Sequence, residues 1–289
     1  MGVGFVVLIW GLNFTVVKTA LREVPPFWFN ALRFTLAFGA LWGGWVLGAP
    51  KPLEGLRASG ERALGPLFGL GLIGHGLYQV CFIVGLARST AGSAAIVLSG
   101  TPLWTALLAH LFGQERLRLR SLLGMLLAFS GVVLVVIFGG RQVSLGADAL
   151  WGNLLIVGAS CCWAAYTVLS RPLVRRIGPL EVTLWSMAPA LPLLWSLVAL
   201  EPMPRWERLS VWAWLGLLYS GLLAIALSYV LWAHSIRRIG AARTAVYGNL
   251  VPVIAASAGV ILLQEPLHVY QMVGGLVVLV GVYLVQRRL

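Results

Sequence analysis

AGSAAIVLSGTPLWTALLAHLFGQE fills residues 91–115, and AARTAVYGNLVPVIAASAGVILLQE fills residues 241–265. A shift of 150 lays one stretch over the other: Ala91 meets Ala241, Pro102 meets Pro252, and Gln114-Glu115 meets Gln264-Glu265. The same shift continues downstream, where Leu117 meets Leu267, Gly124 meets Gly274 and Gly131 meets Gly281. A shift of 153 aligns the opening of each half, pairing Trp10 with Trp163, Asn13 with Tyr166 and Lys18 with Arg171. Matches that share an offset mark an internal repeat. What each copy contains decides the fold.

Each copy contains mostly apolar residues. Of the 289 residues, 60% are hydrophobic and 10% are charged. A soluble domain carries about 25% charged residues, so the polar surface here is too small to cover a soluble globule. A membrane helix needs about 20 consecutive apolar residues. Ten such runs are predicted, at 2–20, 27–48, 63–86, 90–112, 119–138, 149–170, 179–200, 211–234, 241–263 and 267–286. The expected fold is an all-α membrane protein of two five-helix repeats, 1–138 and 149–289. The first run leads straight into membrane sequence and lacks a basic leader, so no cleaved signal peptide is expected.

The cations set the orientation. One set of alternate connections carries fourteen: Lys51, Arg57, Arg62, Arg116, Arg118, Arg120, Arg171, Arg175, Arg176, Arg237, Arg238, Arg243, Arg287 and Arg288. The other carries six: Lys18, Arg22, Arg88, Arg141, Arg205 and Arg208. By the positive-inside rule both termini face the cytoplasm of a bacterial inner membrane. Five spans per half is an odd number, so two similar halves enter the bilayer from opposite sides. Such inverted repeats are built to hold a substrate at the midplane between halves and to alternate its access. The net charge of +12 is spread over short loops rather than one face, which argues against nucleic acid.

The residues also carry a family likeness. Trp10-Gly11-Leu12-Asn13-Phe14-Thr15 with Lys18 resembles the first-helix signature of the EamA branch of the drug/metabolite transporter superfamily. Asn30-Ala31-Leu32-Arg33-Phe34 with Ala37 is similar to its second helix, and residues 91–115 and 241–265 to its fourth and ninth. The resemblance spans the chain. It implies ten helices and a central cavity lined mainly by helices 1, 3, 4, 6, 8 and 9, with 5 and 10 peripheral. It further implies export of amino acids or related metabolites.

Polar residues inside a membrane are costly and generally serve function. Asn13 and Tyr166 occupy matching places, with Trp10 and Trp163 one turn earlier. An amide and a phenol can bond a zwitterion, and indoles add apolar and cation–π surface. His75, Tyr78, Gln79 and Phe82 share one predicted helical face. The matching face of the eighth span offers Ile225, Ser228, Tyr229 and Trp232. Ser99 and Asn249 stand three residues before Pro102 and Pro252, whose missing N–H groups free a carbonyl for substrate or make a hinge. Tyr247 lies on the same stretch. The candidate substrate site is therefore Trp10, Asn13, His75, Tyr78, Gln79, Ser99, Trp163, Tyr166, Tyr229, Tyr247 and Asn249, with Pro102 and Pro252 as hinges. Each also has a plainer reading as helix packing or a re-satisfied kink. Arg33, inside the second span, is expected to pair with Glu23 or cap carbonyls, or else to draw a carboxylate into an external vestibule.

Several classes are excluded. All nine acidic residues fall at span ends or in connections, which disfavours cationic substrates and proton carriers built on a mid-membrane Glu. Cys81, Cys161 and Cys162 lack metal or redox spacing. Gly69-Leu70-Gly71-Leu72-Ile73-Gly74 fits GxGxxG but has no strand before it, so no dinucleotide is expected. There is no Walker A sequence, no HExxH and no GxSxG. No cofactor or metal is expected. The partners are a small-molecule substrate and the lipid bilayer, and the protein is expected to act as a monomer. The rival reading is a non-transporting membrane scaffold, in which the same polar faces would close on each other without a cavity. Fusion of alkaline phosphatase to the C-terminus is expected to give an inactive enzyme, and of a fluorescent protein a bright one; the reverse pattern would overturn the orientation.

Overall fold

In the computed structural model the described residues are 2–48, 63–89, 91–137, 147–263 and 269–286. Among them the chain is mostly helical, with no strand. In order the helices are α1 (Gly2–Ala20), α2 (Pro26–Gly48), α3 (Leu64–Arg88), α4 (Ala91–Leu98 and Thr101–Leu111) and α5 (Leu119–Ile137). They continue as α6 (Ala147–Ile177), α7 (Pro179–Met187 and Ala190–Leu197), α8 (Val211–Ile239), α9 (Ala241–Val246 and Leu250–Leu263) and α10 (Val269–Gln286). Among the described residues five stretches are long and apolar enough to cross a membrane: Leu64–Arg88, Ala94–Leu111, Leu150–Ile177, Pro179–Leu200 and Val211–Ile239. Shorter apolar helices cover Gly2–Val17, Leu119–Val135 and Met272–Gln286. The side chain of Lys18, Glu265, and Arg287 and Arg288 lie outside the described residues.

Large apolar side chains such as Phe5, Phe68, Trp151 and Leu276 are exposed on the outside, while Asn30, Arg33, His75 and Gln79 are buried inside. That is the arrangement a hydrocarbon solvent demands. Two helices outrun their predicted ends. α6 continues past residue 170 to Ile177 and α8 past 234 to Ile239. Their last turns carry Arg175 and Arg176, and Arg237 and Arg238, which favour a helix C-terminus. Hydropathy sees where the apolar run stops, not where the helix does. Gly178 (φ 101°) and Gly240 (φ 92°) then end them, because positive φ is open mainly to glycine.

Regular helix gives way at a few places. Leu72–Leu77 in α3 and Tyr219–Leu227 in α8 are π-helical. The N–H of Tyr78 reaches the carbonyl of Ile73, and that of Ser228 the carbonyl of Leu223. α4 breaks at Ser99-Gly100, and α9 narrows to a 3-10 turn over Tyr247–Asn249.

Small residues let the helices approach. A methyl on Gly124 would lie 2.9 Å from the Gly281 carbonyl oxygen, and one on Gly131 would lie 2.7 Å from that of Gly274. α5 and α10 therefore cross backbone to backbone. Gly85 and Gly152 do the same between α3 and α6, at 2.8 and 2.9 Å. In the GxGxxG stretch, Gly71 makes room for the Ser186 carbonyl and Gly74 for the Tyr166 ring. Gly39, Gly43, Gly65 and Gly69 face nothing within 4 Å, so the close approaches belong to other glycines than the Gly39/Gly43 and Gly65/Gly69 spacings suggest. Gly131→Leu is expected to separate α5 from α10 and cost a few kcal/mol, as overpacking does. Thermal unfolding in detergent checks this, with Gly43→Leu, in open space, nearly silent.

Candidate functional site

The π turn in α3 decides which of its residues face inward. A run of α-helix would put His75, Tyr78, Gln79 and Phe82 on one face. The wider turn rotates the residues beyond it, so Tyr78, Gln79 and Phe82 line a cavity and His75 does not. The cavity measures about 130 Å³, room for on the order of ten water molecules. Its walls come from α1, α3, α4, α6, α8 and α9, with one residue, Arg33, from α2.

Aromatic rings form most of the floor. Trp10 meets Trp163 edge-on at 5.6 Å between centroids and Trp232 at 5.0 Å. Trp163 stands 5.1 Å from Tyr78 and 5.0 Å from Tyr229. The Trp10 indole N–H donates to the Ala224 carbonyl at 2.9 Å, and that of Trp232 to Thr167 Oγ1 at 3.3 Å. These bonds fix the two indoles in the wall.

The polar wall is a chain of side chains. Arg33 is 2% exposed. Its Nε donates to Asn30 Oδ1 (2.9 Å), Nη1 to Ser220 Oγ (3.0 Å) and Nη2 to Gln79 Oε1 (2.7 Å). Gln79 Nε2 in turn donates to the Tyr229 hydroxyl at 3.0 Å. Glu23, the expected partner of Arg33, instead accepts from the backbone N–H and hydroxyl of Ser210, at 2.7 Å each. Those bonds hold the Glu23 carboxyl below its ordinary range. Glu201 accepts from the N–H groups of Phe27 and Trp28 at the start of α2, and its partial burial pushes its carboxyl up. Asn13, also in the cavity wall, presents an Oδ1 that has no hydrogen-bond partner.

Of the residues expected at the site, Trp10, Asn13, Tyr78, Gln79, Ser99, Trp163, Tyr229, Pro102 and Pro252 line this cavity. His75, Tyr166, Tyr247 and Asn249 are not among its walls. His75 sits behind Tyr229, stacked at 5.4 Å, with Nε2 3.0 Å from Ser186 Oγ. Tyr166 packs edge-on against His75 at 4.8 Å. Asn249 is buried with neither amide atom bonded. The carbonyl that Pro102 leaves free, that of Leu98, accepts from Thr101 Oγ1 at 2.6 Å, so the kink is satisfied by its own helix. The expected substrate site left out Arg33, Trp232 and Thr101, which are walls. Trp232 ends the face already noted on α8, and Arg33 was the cation within a span, both usable signals.

An ion pair outside the cavity walls joins three helices. Glu115 Oε1 lies 2.9 Å from Arg171 Nη1 and accepts from the Ala241 N–H at 2.8 Å. Arg171 Nη1 also donates to the Gln114 carbonyl, and Gln114 Nε2 to the Val168 carbonyl. α4, α6 and α9 are thereby tied together two helical turns from Trp163, about 12 Å along α6.

A model described as the EamA-like transporter family matches residues 3–137 and again 150–287. The chain belongs to the EamA-like transporter family. A probable amino-acid metabolite efflux pump of Salmonella typhimurium is 30% identical over 96% of this chain and 91% of that protein. The protein of the same description from Escherichia coli is 27% identical over 96% and 91%. The uncharacterized transporter YyaM of Bacillus subtilis is 28% identical over 94% and 88%. A solved crystal structure aligns with a TM-score of 0.77 over 98% of this chain and 94% of that one, at 21% identity, a likeness of fold. This EamA protein is a multi-pass membrane transporter.

Glu115→Gln is expected to loosen the lock by on the order of ten-fold, the worth of a charge-assisted bond. Thiol labelling of a cysteine at Thr244, fully buried beside the lock, measures it. Equal labelling in both backgrounds would mean the lock carries no load.

Proposed function

We propose that this EamA protein is a secondary transporter of the bacterial inner membrane that exports small neutral or zwitterionic metabolites, amino acids among them, by alternating access. It works as a monomer of ten spans in two inverted repeats, 1–138 and 149–289, with both termini cytoplasmic, and needs no cofactor. The observation that carries the reading is the cavity itself: a single polar-aromatic chamber to which both halves contribute. A scaffold would have closed these faces on each other.

Several contacts support the inverted repeat. Gly124 and Gly131 are matched by Gly274 and Gly281 at a shift of 150. In the structure Gly124 meets Gly281 and Gly131 meets Gly274. Each residue thus touches the counterpart of the other, as a two-fold axis requires. Residues near such an axis touch their own counterparts. Gln79 bonds Tyr229, 150 residues on, and Trp10 packs on Trp163, 153 residues on. The π segments of α3 and α8 overlap at the same shift. The family model matches twice, once in each half.

Alternating access needs an end that is closed while the other is open. The Glu115–Arg171–Ala241 lock fits a closed cytoplasmic end. Its counterpart by the repeat is Lys18, Glu265 and Ala91, of which Glu265 and the Lys18 side chain lie outside what the structure describes. The efflux-pump descriptions of the Salmonella and Escherichia relatives support export and the amino-acid class.

Vesicles carrying the protein should show counterflow of at least one amino acid. Replacing Asn13 and Tyr166 together by Ala is expected to lower its initial rate about ten-fold or more with membrane expression intact. An unaltered rate would remove these residues from the pathway, and no counterflow of any amino acid or nucleoside by the native chain would remove transport of this class.

A further inference from the structure

The cavity holds a cation without an anion. Arg33 is buried at 2% exposure, and each acceptor recorded for it, on Asn30, Ser220 and Gln79, is neutral. The Phe29 ring, 5.2 Å from the guanidinium carbon, offers a π face but no charge. Glu23 and Glu201, the carboxylates beside the start of α2, are engaged elsewhere. Among the described residues the recorded ion pair joins Arg171 to Glu115, not Arg33 to anything, and no acidic residue lines the cavity.

An arginine is almost never fully buried without a charged partner, because neutral acceptors do not repay the lost hydration of a full charge. A guanidinium has five N–H groups in a planar fork. Three are spent on the neutral acceptors, which fix its plane, and two remain. That plane lines the cavity, and two free donors in one plane match a carboxylate. For an ammonium group the walls offer the neutral Asn13 Oδ1 and aromatic faces, with no carboxylate among the described lining residues.

The geometry points to Arg33 as the anchor for a substrate carboxylate. The site therefore takes small apolar carboxylates whose side chain lies among Trp10, Trp163 and Tyr78, and an amino group on them is dispensable. Neutral solutes such as nucleosides are poor ligands. This inference rests on the transport reading for the cavity being a substrate site, and it narrows the class from neutral or zwitterionic metabolites to carboxylates.

Gln79 supplies the sharpest variant. Its Oε1 already sits 2.7 Å from Arg33 Nη2, so Gln79→Glu places a carboxylate beside the cation with almost no change of shape. The protein then carries its own anion where the substrate's should go.

The test uses four probes in pairs: L-leucine with L-leucinamide, and 4-methylpentanoate with 4-methylpentanamide. Binding is titrated calorimetrically in lipid nanodiscs, with chloride in excess so that a simple anion cannot supply the signal. Counterflow in proteoliposomes is measured in parallel. Native protein is expected to bind each carboxylate about ten-fold or more tightly than its amide. Gln79→Glu should erase that difference while raising the unfolding temperature, and Arg33→Lys should keep part of it. Arg33→Gln should lose it, and the paired probes on native protein make the point even if that variant misfolds. Equal binding of acid and amide by native protein, no binding of any probe, or undiminished preference in Gln79→Glu would overturn the anchor. Counterflow without acid preference defeats the anchor alone; acid-selective binding without counterflow defeats the transport reading and leaves the anchor standing.

Discussion

Hydrocarbon offers a peptide group no hydrogen-bond partner, so a chain in lipid must satisfy its backbone from within. The helices of this EamA protein are the direct answer. The same constraint fixes where the backbone is free to depart from helix: only where protein or a cavity, rather than lipid, surrounds it. The departures obey this. The π turns of α3 and α8 lead into Tyr78 and Gln79 and into Tyr229. The break at Ser99-Gly100 and the 3-10 turn at Tyr247–Asn249 flank Thr101 and Pro252. These departures adjoin the cavity wall, while the break in α7 between Met187 and Ala190 lies away from it.

Side chains follow the same rule. Most buried hydroxyls bond back to their own helix: Thr105 to the Thr101 carbonyl, Ser235 to that of Leu231, Thr244 to that of Gly240. Such groups ask nothing of a neighbour. Side chains too long or too charged to be satisfied locally gather instead around the chamber. Arg33, Gln79 and Tyr229 form one connected series there, which ties α2, α3 and α8 at the point where the two halves meet. The Glu115–Arg171–Ala241 lock ties α4, α6 and α9.

Glycine shows how far pattern reasoning carries. Gly124, Gly131, Gly274 and Gly281 were marked by the repeat, and they do bring backbones together. Gly39 and Gly43 have the spacing of a packing motif and face open space, while Gly74, read only as part of a false nucleotide signature, makes room for Tyr166. Spacing reports that a face is smooth, not that anything lies against it. His75 makes a parallel case. Counted at α-helical period it shares a face with Gln79; one π turn moves it behind Tyr229.

The amino-acid sequence by itself determined the solvent, the helical class, the placement of apolar runs and the doubling of the chain, because these depend on composition and offset alone. It also singled out Trp10, Asn13, Tyr78, Gln79, Trp163 and Tyr229, which line one cavity. Tertiary structure alone decided that Arg33 bonds the neutral Asn30, Ser220 and Gln79, that Glu23 turns to Ser210, and that α6 and α8 run on past their apolar stretches. The reason is physical. Burial of an atom and the identity of its partner are set by helices distant in the chain, and a charge ten residues away in sequence can be out of reach in space.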